Sequence, residues 1–129
     1  MQRSRRGRRQ ASADRMARYR RGHAAEWLAA AALVAKGYRV LARRTRTPVG
    51  EIDLIAVRGR RIAFIEVKRR STRADAETSI GRNQTARISR AVDHWLARNA
   101  AYREHEIGLD AVLVLPWRWP VHIENALAR

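Results

Sequence analysis

The sequence predicts an α/β fold, a central mixed sheet with helices packed on it, and three observations lead there. An alanine-rich, helix-favouring stretch from about Tyr19 to Lys36 precedes short strand-like segments around Glu51 to Val57 and Arg61 to Arg69. Ile88, Ala91, Val92, Trp95 and Leu96 then recur at the three-four spacing of one buried helix face. Ile107 to Leu115 is almost continuously apolar, as expected of a strand covered on both sides. At 129 residues the chain has room for one such core.

Taken in order, residues 1–18 form a low-complexity Arg/Ala/Ser/Gln segment too poor in apolar surface to offset the entropy of ordering, so a disordered basic tail is expected there and a single domain over 19–129. The first helix should end at Gly37, a residue suited to the left-handed C-terminal position. Tyr38 to about Arg46 reads as a strand, Thr47-Pro48-Val49-Gly50 as a turn, and Glu51 to Val57 as the next strand. Gly59 breaks the pattern before Arg61 to Arg69. Residues 70–81 read as a connecting loop, Pro116 stops the apolar run, and a short last strand is expected over Trp119 to Ile123. The order is helix, three strands, helix, strand, which folds as a layered sheet and helices.

A formal charge of +16 favours a polyanionic partner, and 26 of the 28 basic residues are arginine. Nine arginines against Asp14 give residues 1–22 a charge of +8, leaving +8 for residues 23–129. Arginine-favouring codon usage and a solvated surface would leave the same trace, so charge names a partner class and no reaction. The absence of cysteine excludes disulfides, thiolate metal sites and a cysteine nucleophile, and fits a reducing compartment; a cytoplasmic protein is expected. No apolar run of membrane-spanning length and no signal-peptide pattern occurs, so no membrane association is expected.

The chemistry lies in two strands. Alternation puts Glu51 and Asp53 on one face of their strand, and Phe64, Glu66 and Lys68 on one face of the next. A hairpin centred on Gly59-Arg60 sets Val57 opposite Ile62 and Asp53 opposite Glu66, with β-carbons about 4.5 to 5.5 Å apart. Like charges facing across a ladder destabilise it, and a hard divalent cation such as Mg²⁺ or Mn²⁺ would relieve them. Lys68 places a cation one pleat along, suited to orienting water or stabilising a phosphate transition state. The plainer alternative is a sheet edge where Asp53 and Glu66 pair with surface arginines and Lys68 is solvated. Against it, Ile62-Ala63-Phe64-Ile65 makes this strand apolar on both faces, and charge there needs a reason.

Gly50-Glu51-Ile52-Asp53-Leu54-Ile55-Ala56 followed by Phe64-Ile65-Glu66-Val67-Lys68 resembles the YraN family of bacterial proteins, in the Holliday-junction-resolvase-like branch of the PD-(D/E)XK nucleases. The resemblance runs from about Gly22 to the C-terminus. It implies a restriction-endonuclease-like αβββαβ core, Asp53 and Glu66 as metal ligands, Lys68 as the catalytic lysine and Glu51 as an acidic neighbour. In this branch an acidic residue on the first helix completes the site. Glu26, the only charged residue between Ala24 and Ala35, fills that place as a third ligand; alternatively it serves the helix start electrostatically. Gln84 stands where relatives usually carry lysine and is an accessory candidate. Gly108-Leu109-Asp110-Ala111-Val112 resembles the family's Arg-Phe-Asp-Val-Val strand with its arginine lost, and Asp110 reads as structural.

Arg46, Arg69, Arg70, Arg73 and Arg82 are candidates for phosphate contacts. Trp117-Arg118-Trp119-Pro120 suits stacking on unpaired bases, a dimer contact, or packing under the sheet. His23, His94, His105 and His122 lack metal-ligand spacing. The expected function is a Mg²⁺- or Mn²⁺-dependent endonuclease acting on DNA, including branched or structured DNA, with a homodimer suggested by analogy. The alternative is a non-catalytic nucleic-acid-binding or scaffold protein that keeps the nuclease fold; a basic ribosome-associated protein would explain the tail and leave the acidic cluster without purpose.

Overall fold

The computed structural model describes residues 5–80 and 82–127, the side chains of 5–8, 17–22 and 82–84 excepted. The elements are α1 (Arg5–Ala35), β1 (Arg39–Thr47), β2 (Gly50–Arg58), β3 (Arg61–Arg69), α2 (Arg73–Thr78), α3 (Arg82–Arg98), a 3₁₀ turn (Ala100–Tyr102), β4 (Glu106–Val114) and β5 (Val121–Ile123). They build one mixed five-stranded sheet in the order β1-β2-β3-β4-β5. β1, β2 and β3 are antiparallel neighbours, β3 and β4 are parallel, and β5 returns antiparallel to β4. A parallel pair needs a long crossover, and α2 with α3 supplies it.

Helices cover the sheet on two sides. Ala25, Ala29, Ala30 and Leu33 of α1 pack on Leu54, Ala56, Ala63, Ile65 and Val112, the small alanines letting helix and sheet approach closely. Ile88, Ala91, Val92 and Leu96 of α3 pack on Ile52, Ile55, Ile62 and Phe64, the face the periodicity assigned. The expected α/β class and central mixed sheet flanked by helices are therefore found.

Gly37, with φ +94°, closes α1: Gly37 N–H donates to the Val34 carbonyl and Tyr38 N–H to that of Leu33, the paired bonds of a Schellman cap. Gly59, with φ +58°, and Arg60 join β2 to β3, because Arg58 pairs with Arg61 and Val57 with Ile62. Glycine at the first central position suits a two-residue type II′ turn.

Three expectations change. The helix runs through the arginine-rich segment from Arg5 instead of starting near Tyr19. Residues 9–16 are exposed, and arginine, alanine, glutamine and methionine favour helix without needing a core. Within the expected loop at 70–81, α2 forms: the Thr72 hydroxyl accepts from Asp75 N–H at 3.2 Å, Arg73 pairs with Glu77 at 2.9 Å, and Ala76 is buried with Leu113 and Leu115. The last strand is shorter than expected, Val121–Ile123.

Candidate active site

Asp53 sits where the sheet loses regularity. The β2–β3 ladder has the expected Val57–Ile62 pair but ends at Leu54 and Ile65, one residue short of the expected Asp53–Glu66 pair. Past that end Asp53 Oδ2 accepts the Val67 N–H at 2.8 Å. On its other side the pairs Thr45–Ile52 and Arg43–Leu54 flank Arg44 and Asp53, and Arg44 has φ +51°. Ile52 and Ile55 both join the α3 core while Leu54 joins the α1 core, so strict alternation fails between them.

That break assembles the acids differently from a plain cross-strand pair. One carboxylate oxygen from each of Glu26, Glu51 and Asp53 lies within 4.8 Å of the others. Glu51, expected only as a neighbour, is in this trio, and Glu26 reaches it from α1. Glu66 stands outside, bound at 2.8 Å to Lys68 Nζ on the same strand. Lys68 is only 5% exposed, so the ammonium is held by the sheet and not trailing in solvent. Arg44 Nε donates to both Glu26 oxygens, at 3.0 and 2.8 Å. Burial, with smaller contributions from the charges of Glu66, Glu26 and Glu51, pushes Asp53 up to about 6 against the lowering pull of the Val67 hydrogen bond.

A small cleft lined by Gly50, Glu51, Glu66, Arg87, Ile88 and Ala91 joins the acids to α3. Arg87 was missed in the sequence because it reads as the polar side of an amphipathic helix. A Cβ on Gly50, whose φ is +147°, would come within 3.1 Å of the Arg87 side chain, so glycine leaves it room. Arg46 is exposed at the register position of Glu51. Arg69 and Arg70 are exposed just beyond Lys68, while Arg73 is paired with Glu77. The side chains of Arg82 and Gln84 lie outside the described residues.

The sequence model described as "Uncharacterised protein family UPF0102" matches residues 25–114. The chain belongs to the UPF0102 family. This is the family that the strand motifs resembled under the name YraN. A UPF0102 protein of Mesorhizobium japonicum is 57% identical over 115 residues, covering 89% of this chain and 92% of its own. Those of a Chelativorans species and of Maricaulis maris are 50% and 53% identical, covering 92% and 91% of this chain and 96% and 87% of theirs. Each of these matches is long enough to span the stretch that carries the acids and Lys68.

In this UPF0102 chain Asp110 is structural, and the guanidinium absent from position 108 comes from the neighbouring strand. Arg61 Nη1 and Nη2 donate to Asp110 Oδ2 and Oδ1 at 2.7 and 2.8 Å, and Arg61 Nη1 also donates to the Tyr38 hydroxyl at 3.1 Å. His122 Nε2 lies 2.7 Å from Asp110 Oδ2, while Lys36 Nζ lies 2.6 Å from Nδ1; with the ammonium donating to Nδ1, Nε2 carries the proton for Asp110. Burial opposes the charge on Asp110, but bonds from Arg61, His122 and the Asn125 amide bring it down to about 2. Among the described residues no helix is long and apolar enough to cross a membrane.

Proposed function

We propose that this UPF0102 protein is a metal-dependent endonuclease that hydrolyses phosphodiester bonds in DNA, with branched or structured DNA as its preferred class. The observation that carries the reading is the trio of Glu26, Glu51 and Asp53 carboxylates converging within 4.8 Å. Its donor set fits a hard divalent cation, because carboxylate oxygens are the ligands Mg²⁺ and Mn²⁺ accept. The raised pKa of Asp53 supports the same fit: burial first, and the neighbouring carboxylates after it, disfavour its negative charge, which a cation would relieve. Glu26, Glu51 and Asp53 would hold the ion, with Glu66 adjacent. When bound, Mg²⁺ or Mn²⁺ supplies positive charge that polarises the scissile phosphate and makes attacking water more acidic.

The remaining chemistry belongs to the chain. Lys68 Nζ is positioned by Glu66 to donate a hydrogen bond to a phosphate oxygen or to hold the attacking water. Asp53 binds a cation as its carboxylate, and with burial holding its pKa up at about 6, proton and cation compete for that group. Arg46, Arg69 and Arg70 are exposed near these groups and suit phosphate contacts that fix register without reading sequence. Cytoplasmic residence, suggested by a chain without cysteine, and a symmetric homodimer belong to the same proposal.

One observation favours a second reading, a non-catalytic DNA-binding scaffold: Arg44 already gives Glu26 a cation. The deciding experiment is Mn²⁺ binding by calorimetry together with nicking of flaps, forks and four-way junctions. The catalytic reading requires both, and requires Asp53→Ala and Glu66→Ala to abolish cleavage. No metal binding, or cleavage unchanged in these variants, leaves the scaffold.

A further inference from the structure

Beyond the acids, the turn that follows β4 presents chemistry that neither the core nor the metal trio uses. Trp117 is fully exposed and has φ +61°, and Trp119 is 62% exposed. Left-handed backbone is rare for a bulky aromatic residue and costs on the order of 1–3 kcal/mol, so the turn holds this ring out against both solvent and conformational preference. Pro116 and Pro120 bracket the turn and limit its backbone freedom. The two rings border a groove of about 1000 Å³ whose walls also include Leu28 of α1, Arg69, Arg70 and Arg118. The three arginines are exposed.

The groove is lined by immediate chain neighbours of candidate site residues. Arg69 and Arg70 directly follow Lys68, and the Arg70 N–H donates to the Val114 carbonyl at 3.2 Å, fixing this end of β3 beside the exit of β4. Ala25, the residue before Glu26, also lines it. One carboxylate, Asp75, faces the same space against three guanidinium groups. Net positive charge selects a polyanion, and projecting indoles select one whose bases are free to stack, because bases inside a duplex already stack on one another.

We infer that the groove between α1 and the Trp117-Arg118-Trp119 turn binds an unpaired DNA strand, stacking bases on Trp117 and Trp119 and holding phosphates with Arg69, Arg70 and Arg118. The inference rests on the nuclease reading only for its direction, since the groove would lead a single strand toward Lys68 and the carboxylate trio. A DNA with a single-stranded arm beside a duplex then engages both regions.

The test is fluorescence anisotropy of the full chain with a labelled oligodeoxythymidylate and with a blunt duplex, both in EDTA so that metal binding and turnover play no part. Trp117→Ala with Trp119→Ala should weaken binding of the oligodeoxythymidylate by about tenfold or more and change duplex binding less than about twofold. Trp117→Phe should keep most of the affinity. Arg118→Ala should lower the salt slope by about one unit. Because Trp117 is fully exposed, circular dichroism melts of its variants should match the parent. Equal losses on both DNAs, no loss on either, or a dimer that dissociates in the tryptophan variants would overturn the inference. Cleavage by the parent chain in Mn²⁺ separates the two proposals: a parent that binds the strand and does not cut condemns the nuclease and keeps the groove, whereas tryptophan variants that bind and cut normally condemn the groove alone.

Discussion

Arg61 and Asp110 form a buried bidentate ion pair between β3 and β4, and Gly108 exists to make room for it. A Cβ at position 108 would overlap the Arg61 guanidinium at Nη2. Gly108→Ala should therefore displace the guanidinium and leave Asp110, which is 0% exposed, without its main partner. Breaking such a pair costs about 3–5 kcal/mol, measurable by urea unfolding. In an Arg61→Ala background the same glycine change should cost less than about 1 kcal/mol, since nothing remains to displace. Additive losses would mean that Gly108 matters for another reason.

Asp53 makes stability depend on pH in a direction opposite to a salt-bridged aspartate. Folded Asp53 keeps its proton up to about pH 6, whereas the unfolded residue releases it near 3.8. Between those values the native state binds more protons, so stability falls as pH rises, and the penalty is complete above pH 6. Asp53→Asn removes the charge while its side-chain oxygen can still accept from Val67. In EDTA the variant should be more stable than the parent at pH 8 by on the order of 2–3 kcal/mol, with the gap shrinking at pH 5. Mn²⁺ should stabilise the parent and not Asp53→Asn. A gap independent of pH would rule out the electrostatic account.

The parts of the fold visible in the sequence are those set by local chemistry. Gly37 marked the end of α1, Gly59-Arg60 fixed the β2–β3 register, and Ile88, Ala91, Val92 and Leu96 marked the face of α3. The acids were visible as residue types, but their grouping was not. Strict alternation pairs Asp53 with Glu66, while the irregularity at Asp53 and Arg44 brings Glu51 to Glu26 and leaves Glu66 to Lys68. Thr72 to Asp75 carried a capping signal for α2, hidden by the small and polar residues around it. Arg61 was read only as the start of a strand, because partners such as Asp110, 49 residues away, leave no local trace.

Arg44 separates the catalytic reading from the scaffold reading. Its Nε lies on Glu26 where a metal ion would compete. Arg44→Asn keeps a residue that tolerates φ +51° and removes the positive charge. If the trio is a metal site, Mn²⁺ affinity measured by calorimetry should rise severalfold. If the Arg44–Glu26 pair is itself the purpose of the cluster, the variant should lose stability and still bind no metal.

Lys68 and Glu66 should separate chemistry from metal capture. Lys68→Met keeps an apolar stem in a site only 5% exposed and should leave Mn²⁺ affinity within about threefold of the parent. DNA nicking should fall by about two orders of magnitude or more, the scale of losing a transition-state donor. Glu66→Gln leaves the Lys68 ammonium without its carboxylate, so it should destabilise the fold by about 1–3 kcal/mol as well as slow cleavage. Nicking that survives Lys68→Met would remove the lysine from the mechanism.

The arginine-rich start of α1 should tune affinity and not folding. Among the described residues, those of this helix that enter the core are Ala25, Ala29, Ala30, Ala32 and Leu33, whereas residues 9–16 are exposed. Deleting residues 1–18 removes seven arginines and one aspartate and no described core side chain. The shortened protein should melt within a few degrees of the full chain. Its binding to duplex DNA should weaken, and the slope of log affinity against log salt should flatten by about 0.9 for each phosphate that the arginines no longer neutralise. An unchanged slope would place the whole DNA-binding charge on the rest of the chain, and a lost melting transition would make residues 1–18 part of the fold.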